Sequence, residues 1–267
     1  MPQRLKWLPA GAALVAMFVL PACHREQKAK PTEHKEEPAA KPAAPAPMRD
    51  DSLDREGVIL AALQAMTDAA IGHDDAEGQR ELRGRKFSVR IRFGCPGAAD
   101  PDRSWSYDEN KHVLRVKVRS SLTDEGLPKS DLLTKEHQGV VGFALGRPWL
   151  LTAGCPVAGF GAVATAEPVI VVAQLFTEAD SRVQRPQRDY DLTKQVEPDQ
   201  QPSDGLDLVV SGRLTELADG RPIHCAAQGG APACIVSARI DRVAVENPAT
   251  EELLGEWGSG VGVSRAD

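Results

Sequence analysis

The sequence predicts a mainly β fold with one helix near its N-terminus. Hydrophobic residues make up 42% of the 267 residues and aromatic residues only 4%. A core built mainly from Val, Leu, Ile and Ala favours strands. Apolar and polar residues also alternate along 86–93 and 114–119, which is the period of half-buried strands. We expect two small β-rich lobes, and the alternative is a single β-sandwich with a long surface loop.

The start of the chain combines two basic residues, an apolar run over 7–20 and the segment Leu20-Pro21-Ala22-Cys23. At ~1.5 Å per helical residue the run spans about 21 Å, less than the ~30 Å hydrocarbon core of a bilayer. The last segment resembles the lipobox of bacterial lipoproteins, in which a small residue precedes the lipidated Cys. This resemblance implies that the first 22 residues are a signal peptide and that Cys23 carries acyl chains such as palmitate.

The lipobox resemblance also implies a location in the bacterial envelope. His24 follows Cys23, and in the common sorting rule a residue other than Asp at this position sends the lipoprotein to the outer membrane. We therefore expect the periplasmic face of the outer membrane, with the inner membrane as the alternative. The membrane would then be a partner through the N-terminal lipid.

Residues 23–50 are predicted to form a tether. They are rich in Pro, Ala, Lys and Glu, a composition with too little apolar surface to fold. At ~3.1 Å per residue in an extended conformation, the segment could reach on the order of 80 Å.

The predicted helix covers Ser52 to Ile71. Asp51 or Ser52 is available as an N-cap and Gly72 as a stop. Apolar residues recur at three- and four-residue steps, which predicts a stripe that packs on a sheet. The stripe consists of Leu53, Ile59, Leu60, Leu63, Met66 and Ala70.

The strand pattern divides the rest of the chain. We predict a helix and β-rich lobe over 51–177, a linker or long loop over 178–204, and a small β-rich lobe over 205–267. The run from Cys234 to Val245 changes phase near Asp241 and Arg242, which indicates a β-bulge. Further strands are expected at 104–107, 140–145, 148–152, 168–176, 206–214, 222–225 and 253–257.

Four cysteines remain after Cys23 and could form two disulfides, since the bacterial envelope is oxidising. Three pairings are possible from the sequence alone. Cys225 and Cys234 flank a loop-like segment, so we favour a bond between them. This choice leaves Cys95 to pair with Cys155, and each of these two follows an apolar run.

The charges are distributed unevenly along the chain. Residues 79–119 contain eleven Lys or Arg and five Asp or Glu, whereas residues 120–267 contain twelve and twenty-one. The acidic part argues against binding nucleic acid. Arg90, Arg92, Arg115 and Lys117 would form an anion-binding patch for an envelope glycan or lipid headgroup if their strands were neighbours. The alternative is a solvated sheet face.

Catalytic and metal-binding patterns are weak. Residues 149–155, WLLTAGC, resemble the segment that carries the catalytic His of chymotrypsin-like serine proteases, but Gly154 stands at the His position. His224, Cys225 and Cys234 lack a fourth zinc ligand at regular spacing. We expect no cofactor and no metal site. The acidic segment 73–77 could bind a hard cation through its oxygen atoms, but it follows a predicted helix end, so we interpret it as a helix cap or a solvated loop.

These observations favour a membrane-anchored periplasmic lipoprotein that acts by binding or scaffolding, rather than an enzyme. The alternative is an envelope hydrolase whose active site leaves no linear motif. The folded region resembles no family that the sequence motifs can identify. Its protein partners and oligomeric state are not indicated by the sequence.

Overall fold

The computed structural model describes residues 52–73, 75–97, 100–122, 137–155, 169–177, 189–228 and 231–258. The predicted signal peptide, Cys23 and the tether lie outside the described residues. The helices are α1 (Arg55–Ile71) and α2 (Ala76–Leu82), and the strands are β1 (Lys86–Phe93), β2 (Arg103–Asp108), β3 (Val113–Val118), β4 (His137–Ala144), β5 (Val169–Thr177), β6 (Tyr190–Gln195), β7 (Leu206–Leu214), β8 (Ile223–Gln228), β9 (Ala231–Asn247) and β10 (Glu252–Gly258).

The strands form two sheets, which confirms the predicted mainly β class. The large sheet has the order β1-β7-β9-β5-β4, and β8 and β10 also pair with β9. The small sheet has the order β2-β3-β6 and is antiparallel throughout. The expected strand at 104–107 corresponds to β2, which forms an antiparallel hairpin with β3.

The predicted division into two lobes is corrected by the strand pairing. β1 pairs with β7, and β5 pairs in parallel with β9, so strands from both expected lobes share one sheet. Residues 49–267 form one compact unit. The segment 178–204, expected as a linker, contributes β6 to the small sheet. Strand order is a long-range property that local periodicity does not encode, and this is why the boundary was misplaced.

Helix α1 begins and ends with capping interactions. The side chain of Asp54, rather than Asp51 or Ser52, accepts a hydrogen bond from the Gly57 amide, and Gly72 ends the helix with a φ of 68°. This left-handed conformation suits glycine, which has no Cβ. The sequence analysis did not predict helix α2. The side chain of Asp75 caps the start of this helix.

The predicted apolar stripe of α1 is wrong in part. The buried face contains Val58, Ile59, Ala62 and Ala65, while Leu60 is 51% exposed. The helix packs against β8, β1 and β9. Small alanines allow close approach to the sheet, and a hydropathy pattern gives them less weight than leucines.

The main hydrophobic core lies where α1 and the small sheet meet the large sheet. Phe87, Val89 and Ile91 of β1 join Leu114 and Val116 of β3 in one buried cluster. The inward-facing residues of both sheets therefore share a core, as in a sandwich.

Aromatic and ionic contacts also connect the two sheets. Tyr190 of β6 lies 5.8 Å from Phe143 of β4 and 5.5 Å from Trp257 of β10, measured between ring centroids. Lys194 Nζ lies 2.7 Å from an oxygen of Glu252, which links β6 to β10.

The predicted bulge in the long strand is confirmed at Asp241. Ser211 pairs with Arg242 whereas Gly212 pairs with Ile240, so Asp241 is the extra residue. The Gln174 side chain accepts a hydrogen bond from the Ile240 amide at 3.0 Å. The bulge reverses which alternate residues face the core.

Both predicted disulfides are present. Cys95 is bonded to Cys155 with a Cα–Cα distance of 5.5 Å, and Cys225 to Cys234 with a Cα–Cα distance of 4.1 Å. The second bond joins directly opposed residues of β8 and β9. Each bond therefore cross-links segments that the fold already brings together.

We predict that Gly212→Ala destabilises the fold, because a Cβ at this position would clash with the backbone carbonyl of Arg239 opposite the bulge. The expected cost is about 1–3 kcal/mol in the free energy of unfolding, measured by urea denaturation. Gly154→Ala is the control, since no described atom lies within 4 Å of its Cβ position. Equal stabilities of the two variants would contradict the prediction.

We also predict that the two disulfides contribute unequally to stability. They close chain segments with sequence separations of 60 and 9 residues, so chain entropy gives about 4 kcal/mol for the first and about 3 kcal/mol for the second. Removing Cys95 and Cys155 together should therefore lower the urea midpoint more than removing Cys225 and Cys234. The reverse order of midpoints would refute this ranking.

Candidate functional site

The candidate functional site is the segment 146–155 between β4 and Cys155, which we call the Trp149 loop. The Leu150 amide donates to the Arg147 carbonyl at 2.9 Å, which closes a four-residue turn. Pro148 suits the second position of such a turn because its ring fixes φ. Pro148 is buried, whereas Trp149 is 53% exposed and Leu151 is 37% exposed. The Trp149 loop therefore presents two large apolar side chains to solvent, one on the turn and one just after it.

Arg55 at the start of α1 holds the base of the Trp149 loop. Its guanidinium donates to the carbonyl of Leu150 at 3.0 Å and to the carbonyls of Gly146 and Arg147 at 2.8 and 3.2 Å. A further bond at 3.1 Å reaches the carbonyl of Arg90 in β1. One buried side chain thus joins the helix, the edge strand β1 and the loop.

The surroundings of Arg55 disfavour its charged form. Burial lowers the pKa of its guanidinium, and the nearby cations Arg103 and Arg147 lower this pKa further, whereas Asp207 raises it. An arginine nevertheless stays protonated at neutral pH. The four carbonyl oxygens compensate the buried cation, because each supplies an acceptor in place of water.

The two ends of the Trp149 loop are also fixed. At the start, the Leu145 amide donates to the Ile170 carbonyl at 2.8 Å, and Arg103 donates to the Ala144 carbonyl at 3.1 Å. At the end, Cys155 is bonded to Cys95, just after β1. The exposed Trp149 therefore lies on a segment that hydrogen bonds fix at its start and a disulfide fixes at its end.

The sequence analysis did not identify this site. It predicted a strand over 148–152, but the structure has a turn and an irregular segment there. The turn signal was present in Gly146 and Pro148 and was outweighed by the apolar run 149–151 that follows them. The contacts of Arg55 span more than 90 positions in the sequence, so no local pattern reveals them.

The predicted four-residue basic patch is not assembled. Arg90 and Arg92 lie on β1 of the large sheet, while Arg115 and Lys117 lie on β3 of the small sheet. The two strands are not neighbours, so the expectation of adjacent strands is wrong. Similar alternation in two strands does not place them in the same sheet.

Acidic residues already neutralise the β1 half of this patch. Arg92 donates two hydrogen bonds to the Asp207 carboxylate, at 2.6 and 3.2 Å. Arg90 forms an ion pair with Glu246, which also lies 3.9 Å from Arg242. These ion pairs connect β1, β7 and β9 across the outer face of the large sheet. This structural role is sufficient to explain the basic residues of β1.

Arg115 and Lys117 are exposed on the outer face of the small sheet. Arg115 stands in register between Ser106 of β2 and Thr193 of β6. Lys117 stands opposite Asp191 of β6. This half of the predicted patch is a mixed polar face rather than a concentrated basic surface.

The residues considered for metal or acid–base chemistry do not converge. His224 Nδ1 lies 3.1 Å from an oxygen of Asp219, and Cys225 and Cys234 are joined as a disulfide. Within the described ranges, no group of three or more His, Cys, Asp or Glu residues is arranged to hold a metal ion.

Comparison of the chain with protein-family models, curated proteins and solved structures finds no match. In the part of the chain that the structure describes, no helix is both long and apolar enough to cross a membrane.

We predict that Arg55→Met destabilises the protein by roughly 2–4 kcal/mol, because four backbone carbonyls lose their charged donor in a buried setting. The loss is measured by urea denaturation, and hydrogen exchange of the Leu150 amide should accelerate. Arg83→Met is the control, since Arg83 forms an exposed ion pair with Glu216 that is worth at most about 1 kcal/mol. Equal effects of the two substitutions would show that Arg55 does not hold the loop.

Proposed function

We propose that this protein is a lipid-anchored component of the bacterial envelope that acts by binding through the Trp149 loop. The observation that carries the proposal is the exposure of Trp149 on a loop held by Arg55 and by the Cys95–Cys155 disulfide. A large apolar side chain exposed on a well-supported segment is suited to contact a partner.

The chemistry of the loop supports binding. Tryptophan is strongly enriched among residues that dominate binding energy, because it buries a large apolar area and keeps a polar N–H group at its edge. A segment that is already ordered loses little conformational entropy when it binds. The supports at both ends of the Trp149 loop supply this order.

The proposed location is supported by the cysteines and by the N-terminal motif. All four cysteines of the folded region are used in two disulfides, a pattern typical of proteins in oxidising compartments. The lipobox resemblance at Cys23 adds a means of attachment. We propose the periplasmic face of the outer membrane as the location.

We predict that the mature protein begins at a lipidated Cys23, which intact-mass and N-terminal peptide mass spectrometry measures directly. In isolated envelopes, hydroxyl-radical footprinting should oxidise Trp149 less than in the compact unit 49–267 purified without lipid anchor or detergent, because the loop is covered by its partner. Leu253, which is 44% exposed on β10, is the internal control and should be oxidised equally in both samples.

Two outcomes would contradict the proposed function. A mature N-terminus that is not at Cys23 would remove the lipid anchor. Equal oxidation of Trp149 in envelopes and in the anchor-free, detergent-free unit 49–267 would show that the loop binds nothing there.

A further inference from the structure

We propose that the Trp149 loop docks on the surface of a phospholipid bilayer, with Trp149 and Leu151 entering the interfacial region. This inference rests on the proposed function, because it takes the lipid on Cys23 as the anchor. It adds the chemical identity of the partner, and it places the folded domain against the membrane rather than at the end of an extended tether.

The first argument is the position of the loop relative to the start of the folded domain. The described chain begins at Ser52, and Arg55 lies only three residues later. The Arg55 side chain contacts the carbonyls of Gly146 and Leu150 at 2.8 and 3.0 Å. The base of the Trp149 loop therefore adjoins the point at which the N-terminal segment leads into the domain. A membrane tether attached at this point keeps this side of the domain, and with it the Trp149 loop, nearer to the membrane than the opposite side.

The second argument is the chemistry of the exposed side chains. Tryptophan prefers the membrane–water interface, where its ring is in contact with apolar groups and its N–H with water or headgroups. Leu151 adds apolar area two residues further along the chain. Asp54 and Glu56 are exposed beside Arg55, so apolar contact rather than attraction to anionic lipid drives the docking.

The third argument is the size of the exposed apolar surface. Two side chains on one loop supply only a small part of the roughly 800 Å² that each partner buries in a standard protein–protein interface. A weak interfacial contact is sufficient once a lipid anchor is present, because tethering gives an effective concentration on the order of millimolar. The geometry therefore favours a lipid surface over a protein.

The test uses the processed, lipidated protein reconstituted into phosphatidylcholine vesicles with or without brominated acyl chains, which quench tryptophan fluorescence on close approach. Part of the emission should be quenched in the wild-type protein and in Trp257→Phe, and this quenched part should be absent in Trp149→Phe. The contrast assigns the quenching to Trp149, because Trp257 is half-buried against Tyr190.

A second pair of variants tests the apolar contact itself. Leu151→Ser should reduce the docked fraction relative to the undocked fraction roughly fivefold, the size expected when part of a leucine side chain no longer leaves water. Leu253→Ser is the matched control, since its side chain is similarly exposed but lies on β10. On vesicles that also contain anionic phosphatidylglycerol, docking should change little between 0.05 and 0.5 M salt, concentrations over which attraction between exposed charges is strongly screened.

The mass of the N-terminal peptide is measured on the same sample, so the two proposals fail separately. If Cys23 is lipidated and Trp149→Phe shows the same quenching as the wild-type protein, the docking inference is overturned and the anchor stands. Protection of Trp149 in envelopes without quenching in brominated vesicles would also overturn it, since a protein or glycan would then cover the loop. Loss of docking at high salt would exclude the apolar mechanism.

Discussion

Strand β9 is the constraint on which the rest of the architecture depends, because both of its edges are paired. β5 and β8 flank its first half, and β7 and β10 flank its second half. β1 joins the sheet through β7, and β4 joins it through β5. A strand paired on both edges cannot change register without moving every neighbour. The bulge at Asp241 is what allows Ile240 and Val243 to face the same core although they are separated by an odd number of positions.

Local features of the fold were predictable from the sequence, and long-range features were not. Alternation located β1 and β3, the change of phase located the bulge, and the positions of the cysteines indicated both disulfides. The sheet order was not predictable, because the pairing of Arg92 with Asp207 depends on residues 115 positions apart. Nothing in the alternation along β1 indicates that its partner is β7 rather than β3.

The candidate site was missed for a related reason. The residues 148–152 have the composition of a strand, and only tertiary contacts decide that they form a turn. Arg55 occupies the first turn of α1, where an arginine is ordinarily exposed. Its burial follows from four carbonyl groups that belong to β1 and to the Trp149 loop. A sequence with a helix-starting arginine and a distant Gly-x-Pro-Trp segment gives no sign that the two meet.

The pairing of β1 with β7 also constrains the order in which this chain can fold. Lys86 pairs with Arg213 and Phe93 with Leu206, so the edge strand has only its bridge to Leu53 until most of the domain is present. Sheets closed by such distant contacts form slowly, because the loop entropy is lost before the contacts are gained. Disulfide pairing adds little to this difficulty, because each of the two bonds joins cysteines that are consecutive in the sequence. If the chain is exported N-terminus first, as proposed above, the Cys95–Cys155 bond can form before Cys225 arrives.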